Sequence, residues 1–317
     1  MKSIWPRLIV LAAGILGVPY VANGLDFKDG PFDGTAFRPN ASISWGVTST
    51  LPKTFTAYRP IAEKVTQAVI SNAMAIGSFK SINLVRSQDK NLIEFRDTPR
   101  EQELTRFLKV TANRGWVRYY DRSAEKRPVH GIPSFEEADK QVLRYLSLLG
   151  CETNQVSLES RSHNEGTFES YDKPGGRLIA KGISSRSVCL FRQIDGMPVL
   201  GNSLSVDFGN DAKPIMLEMN WPPFQPAQQY RTATRDEILK FLKSGRAFYP
   251  VWPEQPNVSS AKVFTVKSIQ PLYKRGLGTD PQGLLRPYAS LGMEADVGGK
   301  LVKFGLNCPI ITDEKVR

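Results

Sequence analysis

Two helix-start signatures, at Ser134 and Thr234, constrain this chain more firmly than anything else in it. Ser134-Phe135-Glu136-Glu137 and Thr234-Arg235-Asp236-Glu237 each set a hydroxyl three residues ahead of a carboxylate. The two side chains can then satisfy backbone donors left open at a helix start. Behind the first, Phe135, Ala138, Val142, Tyr145, Leu146 and Leu149 recur at helical spacing and Gly150 stops the run. Behind the second, Ile238, Phe241 and Leu242 form an inward face and Gly245 ends a shorter helix. A further helix is predicted over about 60–75 from Ile61, Val65, Ala68, Val69 and Ala73, with Gly77 just beyond.

Each helix leads into strand-like runs separated by turn residues. The first group is Phe79–Val85, Asn91–Phe95, Thr105–Ala112 and Trp116–Tyr120. The second is Arg177–Ile183, Ser187–Gln193, Asn202–Phe208 and Pro214–Trp221. The third is Lys262–Ile269, Leu284–Leu291, Glu294–Val297 and Leu301–Leu306, with Gly298-Gly299 as a hairpin turn. Residues 25–57 read as an extended lead-in with one short strand near Ser42–Val47, and 151–174 as a polar loop. The expectation is an α+β protein, with helices on one face of antiparallel sheets, in units 58–125, 130–230 and 231–317.

The N-terminus carries Lys2 and Arg7, an uncharged apolar run Leu8–Ala22, and small residues at Ala22 and Gly24. That is the pattern of a cleavable secretory leader over 1–24, and the run is shorter than the ~20 apolar residues of a membrane span. The expected product is secreted or otherwise extracytoplasmic, with no membrane span after cleavage. Losing Lys2 and Arg7 lowers the net charge from +11 to +9. The cations are scattered among acids, which favours a solvated basic surface over a nucleic-acid site. In an oxidising compartment two of Cys151, Cys189 and Cys308 can form one disulfide, with three alternative pairings. Asn40-Ala41-Ser42 and Asn257-Val258-Ser259 fit the glycosylation sequon.

The stretch from Arg192 to Phe208, centred on Asp195-Gly196-Met197-Pro198-Val199, resembles the core hairpin of PepSY-type modules, which include the propeptide domains of thermolysin-like peptidases. Asp195-Gly196 supplies a tight turn, Pro198-Val199 restarts an extended segment, and Leu204, Val206 and Phe208 alternate toward one face. The resemblance covers about 177–245, with weaker echoes at 60–120 and 235–310. Arrays of such modules also occur in secreted or membrane-attached regulators of bacterial two-component systems. The resemblance implies tandem PepSY-like modules and a non-enzymatic protein that binds a protein or peptide, as a peptidase inhibitor or envelope regulator. Its candidate docking surface is Val199, Leu200, Asn202, Leu204, Val206 and Phe208, where an extended segment adds to the sheet. The chain departs from peptidase precursors in having no HExxH motif and from the tethered regulators in its releasable leader.

Motifs of catalysis and metal binding are absent from the sequence. There is no GxSxG elbow, no phosphate-cradling glycine pattern and no CxxC or HxxxH spacing, so neither a cofactor nor a metal is expected. His130 and His163 sit in polar surroundings, and Glu165, Glu169 and Asp172 share the polar loop. A second candidate is the strand Trp116, Arg118 and Tyr120, whose alternation places a basic and aromatic stripe on one face. That stripe supports the alternative of an extracellular binder of acidic polymer such as cell-wall polysaccharide.

Overall fold

The computed structural model describes residues 33–61, 66–79, 83–86, 92–96, 106–111, 115–121, 128–172, 176–250, 255–275 and 283–315. The expected leader lies outside these residues. Among the described residues no helix is long and apolar enough to cross a membrane.

The elements in chain order are β1 (Asp33–Ala36), β2 (Ser42–Trp45), β3 (Thr54–Pro60), α1 (Gln67–Ile76), β4 (Asn83–Arg86), β5 (Leu92–Arg96), β6 (Arg106–Thr111) and β7 (Trp116–Asp121). Next come α2 (Phe135–Leu148), β8 (Val156–Tyr171), β9 (Leu178–Ile194), β10 (Met197–Phe208), β11 (Pro214–Asn220) and β12 (Phe224–Thr232). The chain closes with α3 (Arg235–Lys243), β13 (Phe248–Pro250), β14 (Val263–Arg275), β15 (Leu285–Val297), β16 (Lys300–Pro309) and β17 (Ile311–Lys315). The protein is α+β with strands dominant: among the described residues, three α-helices stand against 17 strands joined in one mixed pairing network.

Both capping boxes form. Glu137 accepts the Ser134 N–H at 2.7 Å while Ser134 Oγ accepts the Glu137 N–H at 3.2 Å. Glu237 and Thr234 repeat the exchange at 2.7 and 3.3 Å. Each such cap stabilises its helix by ~1 kcal/mol.

Eight strands form one antiparallel sheet in the order β4-β5-β6-β7-β11-β10-β9-β8. The four strands after α1 and the four after α2 therefore meet through their last members and run outward in mirrored order. Both helices cover the same face, where Ile70, Val142 and Leu146 pack with Leu108, Val117, Val188, Leu204, Val206, Phe208 and Leu217. Asn72 Nδ2 ties the helices together by donating to the Leu148 carbonyl at 2.7 Å. Fully burying each such apolar side chain contributes ~1.5–3 kcal/mol before ordering costs.

A second core gathers around α3. The meander β14-β15-β16 turns at Gly298-Gly299 with Val297 opposite Lys300, as the glycine pair predicts. Strand β13 pairs with β16, β1 with β13, β2 runs parallel to β14, and β3 pairs with both β12 and β15. The residues read as a lead-in thus supply three strands. Phe37 is 1% exposed and packs edge-on against Tyr249 and Phe264. These partners lie some two hundred residues along the chain, so no local pattern announces them.

One strand joins the two cores. Met197 and Val199 are buried in the second core, where Val199 pairs in parallel with Tyr273. Past Gly201, at φ +76°, the register shifts and residues 203–208 run between β9 and β11. A left-handed backbone at Asp195 and Gly196 makes the turn that enters this strand. Asp195 Oδ2 accepts the Tyr58 hydroxyl at 2.5 Å and the Tyr273 hydroxyl at 3.1 Å, latching the hairpin to β3 and β14. Burial, followed by the Asp195 charge, raises both phenols well above the ordinary tyrosine range.

Candidate functional site

The edge of the eight-stranded sheet is a long hairpin whose first strand, β8, lies in the region expected to be a polar loop, while its second, β9, joins the expected strands Arg177–Ile183 and Ser187–Gln193 into one. Strand β8 pairs with β9 alone among the described residues, and β9 pairs with β10 only from Arg186 onward. Residues 167–171 and 178–183 therefore form a two-stranded ribbon that continues beyond the sheet. Most of the ribbon is exposed, so neither face required an apolar set and the usual alternation never arose.

Its root is pinned to α2. The His163 imidazole stacks on the Phe135 ring at 4.4 Å and its Nε2 lies 2.7 Å from Asp139 Oδ1. Arg161 reaches the other oxygen of Asp139 at 3.3 Å. The Arg186 guanidinium also lies over the Phe135 ring, at 5.0 Å, bonds the Pro133 carbonyl at 2.6 Å and pairs with Glu165 at 2.9 Å.

Farther out, the ribbon is held by its own cross-strand pairs. The Phe168 ring covers Gly182, where an added Cβ would sit 3.0 Å from the ring. Glu169 accepts the Tyr171 hydroxyl at 2.6 Å and the Lys181 ammonium at 2.9 Å, and these two donors hold its carboxyl below the usual range. Glu165 and Glu169 are thus each paired with a cation of their own, Arg186 and Lys181. Register shifts at Ser157/Ser162 and Gly166/Thr167 leave a regular edge from Ser162 to Gly166. Bulges and charges at an edge restrict which strands can add to it.

The docking surface expected on β10 is interior, and this is a correction. Val199, Asn202, Leu204, Val206 and Phe208 are each at most 7% exposed, and only Leu200 remains half-buried. Between Ser203 and Phe208 the strand has β9 on one side and β11 on the other, so it offers no edge. The alternation of Leu204, Val206 and Phe208 marks the face that α2 covers, not a face awaiting a partner.

Trp116, Arg118 and Tyr120 lie on the sheet face away from the helices, with Val117 and Tyr119 buried on the helical side. Tyr120 packs on Phe107 at 5.5 Å, and Arg118 lies 3.9 Å from Glu218. The expected disulfide is also corrected: Cys151, Cys189 and Cys308 are free thiols. Cys308 is buried in the α3 core, Cys151 contacts Met219 Sδ at 3.4 Å, and Cys189 sits on β9 opposite Ser205. Burial pushes all three thiols up to about 12. His130 is separate from His163, lying 3.3 Å from Asp211. Asn40 and Asn257 are exposed, and Asn257 Oδ1 accepts from the Ser259 amide and hydroxyl at 3.3 and 2.8 Å. Among the described residues no three His, Cys, Asp or Glu side chains group as metal ligands.

No family model and no curated protein matches the chain. Among solved structures it is similar to an uncharacterised protein from Eubacterium rectale ATCC 33656, at 11% identity and a TM-score of 0.48, over 87% of this chain and 90% of that one.

Proposed function

We propose that this chain is a secreted, non-enzymatic binding protein that takes an extended segment of a partner protein along the outer edge of β8. The observation that carries the reading is the edge itself. Among the described residues a 16-residue strand has a neighbour on one side only, and its regular stretch Ser162–Gly166 is anchored to α2 through His163 and Arg186. Unpaired backbone groups along such an edge bond an added strand, and flanking side chains select it. Here Asn164 and Ser162 alternate with His163 and Glu165.

The kinship proposed is with PepSY-like modules. Its support is the order of elements: α2 followed by the antiparallel strands β8 to β11, α1 followed by β4 to β7, and the Asp195-Gly196 turn in the hairpin of the second unit. Module kinship makes a peptidase the first partner to try. The test mixes the full chain with a panel of extracellular metallopeptidases, following activity and amide hydrogen exchange together. Binding as proposed slows an enzyme and protects the amides of 162–166. If no enzyme is slowed and the edge exchanges unchanged, the peptidase-inhibitor reading fails. The acidic-polymer alternative is less well supported, because the Arg118 guanidinium faces Glu218 and Lys109 faces Glu94, both at 3.9 Å.

A further inference from the structure

We infer that, with no partner segment present, the β8 edge is filled by the same edge of a second copy of this chain, Ser162–Gly166 pairing antiparallel with itself about Asn164. The inference rests on the reading that this edge accepts a strand, and it names what covers the edge at rest. A long strand left open on one side is a template for uncontrolled pairing. Its hairpin also carries exposed apolar side chains: Leu158, Tyr171, Leu178 and Ile179 are between 44% and 62% exposed, and they are most of the large exposed hydrophobics among the described residues. This hairpin is therefore the surface most in need of a cover.

The spacing of the interruptions selects the occupant. Pairing with β9 shifts between Ser157 and Ser162 and again between Gly166 and Thr167, so the regular stretch has a break at each end. An antiparallel copy centred on Asn164 meets this stretch with the same residues and the same two breaks in reverse order. A copy slipped along the strand sets a break against regular backbone and turns the side chains away from their counterparts.

The side chains agree with that centre. Ser162 comes opposite Gly166 of the second copy, where neither crowds the other. The two exposed Asn164 side chains meet on the dyad, and a carboxamide both donates and accepts, so each can bond its twin. His163 comes opposite Glu165 of the second copy, twice per dimer. His163 uses Nε2 on Asp139 and Glu165 uses Oε1 on Arg186, which leaves Nδ1 and Oε2 open among the described residues. A ring that donates from both nitrogens is an imidazolium, so the contact draws a proton into the interface. The charged groups gathered about that ring are Asp139 on α2, Arg161 and Glu165 on β8 and Arg186 on β9. So short a stretch is a small interface, with a Kd on the order of 10–100 µM. A partner segment can displace it.

The test is sedimentation velocity of the full chain from about 5 to about 500 µM, joined to cross-linking through introduced cysteines. The chain passes from monomer to dimer across that range, and the midpoint falls at least about threefold between about pH 8 and about pH 6. Asn164→Cys oxidises to a covalent dimer at least about tenfold faster than Ser162→Cys, whose two copies lie ~14 Å apart along the strands, beyond the reach of a disulfide. Glu165→Lys weakens the dimer at least about tenfold. A chain still monomeric at about 500 µM, equal cross-linking of the two cysteine variants, a midpoint that fails to fall with pH, or a dimer untouched by Glu165→Lys overturns the inference. Protection of 162–166 by a peptidase while the free chain stays monomeric overturns self-pairing alone, whereas a dimer with no peptidase slowed counts only against the peptidase-inhibitor reading.

Discussion

Replacing Asp195 tests whether the hairpin turn is the rivet between the two cores. Its carboxylate accepts hydroxyls from Tyr58 and Tyr273, and its backbone sits at φ +53°. A hydrogen bond to a charged group contributes ~1.5–3 kcal/mol. Asp195 lies on the exposed side of the turn, so water screens it and ~1 kcal/mol per bond is the fitting value. Alanine in a left-handed backbone adds ~1 kcal/mol of strain, giving a total of about 3 for Asp195→Ala. Asp195→Gly loses the same bonds without the strain and costs about 2 kcal/mol. Asp195→Asn keeps an acceptor and tolerates the backbone, for about 1 kcal/mol. The assay is urea unfolding at neutral pH, followed by tryptophan fluorescence. The order Ala, Gly, Asn from worst to best is the signature. If all three lie within ~0.5 kcal/mol of the parent, an ordinary surface result, the latch does not hold the turn. If alanine is no worse than glycine, the strain argument is wrong.

The Arg231 and Thr234 donors hold the Glu237 carboxyl down to about 2 from 4.5. Its depressed folded value means the stabilisation is complete above pH 4.5 and is lost as pH falls toward 2. The urea-midpoint gap between the parent and Glu237→Gln therefore narrows over that window, and a constant gap would contradict the ion pair. Phe208→Ala, at a fully buried position, costs ~3–5 kcal/mol in the same assay. Phe168→Ala, by contrast, strips hydrogen-exchange protection from 178–183 while moving global stability by less than ~0.5 kcal/mol. With their thiols raised by burial to about 12, the three cysteines alkylate slowly at pH 8 in the folded protein. All three label after denaturation without reductant, and a protected pair would reveal a disulfide.

What the sequence made legible was whatever local chemistry determines. Both capping boxes and the alternation through Val117 and Tyr119 appear in the structure as read. The helix predicted over 60–75 begins among the described residues at Gln67. Strands β1 and β3 escaped because their partners come from the far end of the chain. Phe224–Thr232 escaped because Pro226 and a run of polar residues interrupt its pattern. Strand β8 was missed because, beyond Val156, it is buried on neither face, and such a strand writes no hydrophobic period. Conversely, Leu204, Val206 and Phe208 drew notice as a surface because a strong period is conspicuous, although such a period records burial.

The ribbon beyond Gly166 therefore has an unusual freedom. Most substitutions along it leave the cores untouched, so folding filters few of them. Its sequence can drift, or track a changing partner, at a rate that β10, sharing both cores, cannot follow. Among relatives of this chain the ribbon should diverge fastest, and any position there that does not diverge marks a constraint other than folding.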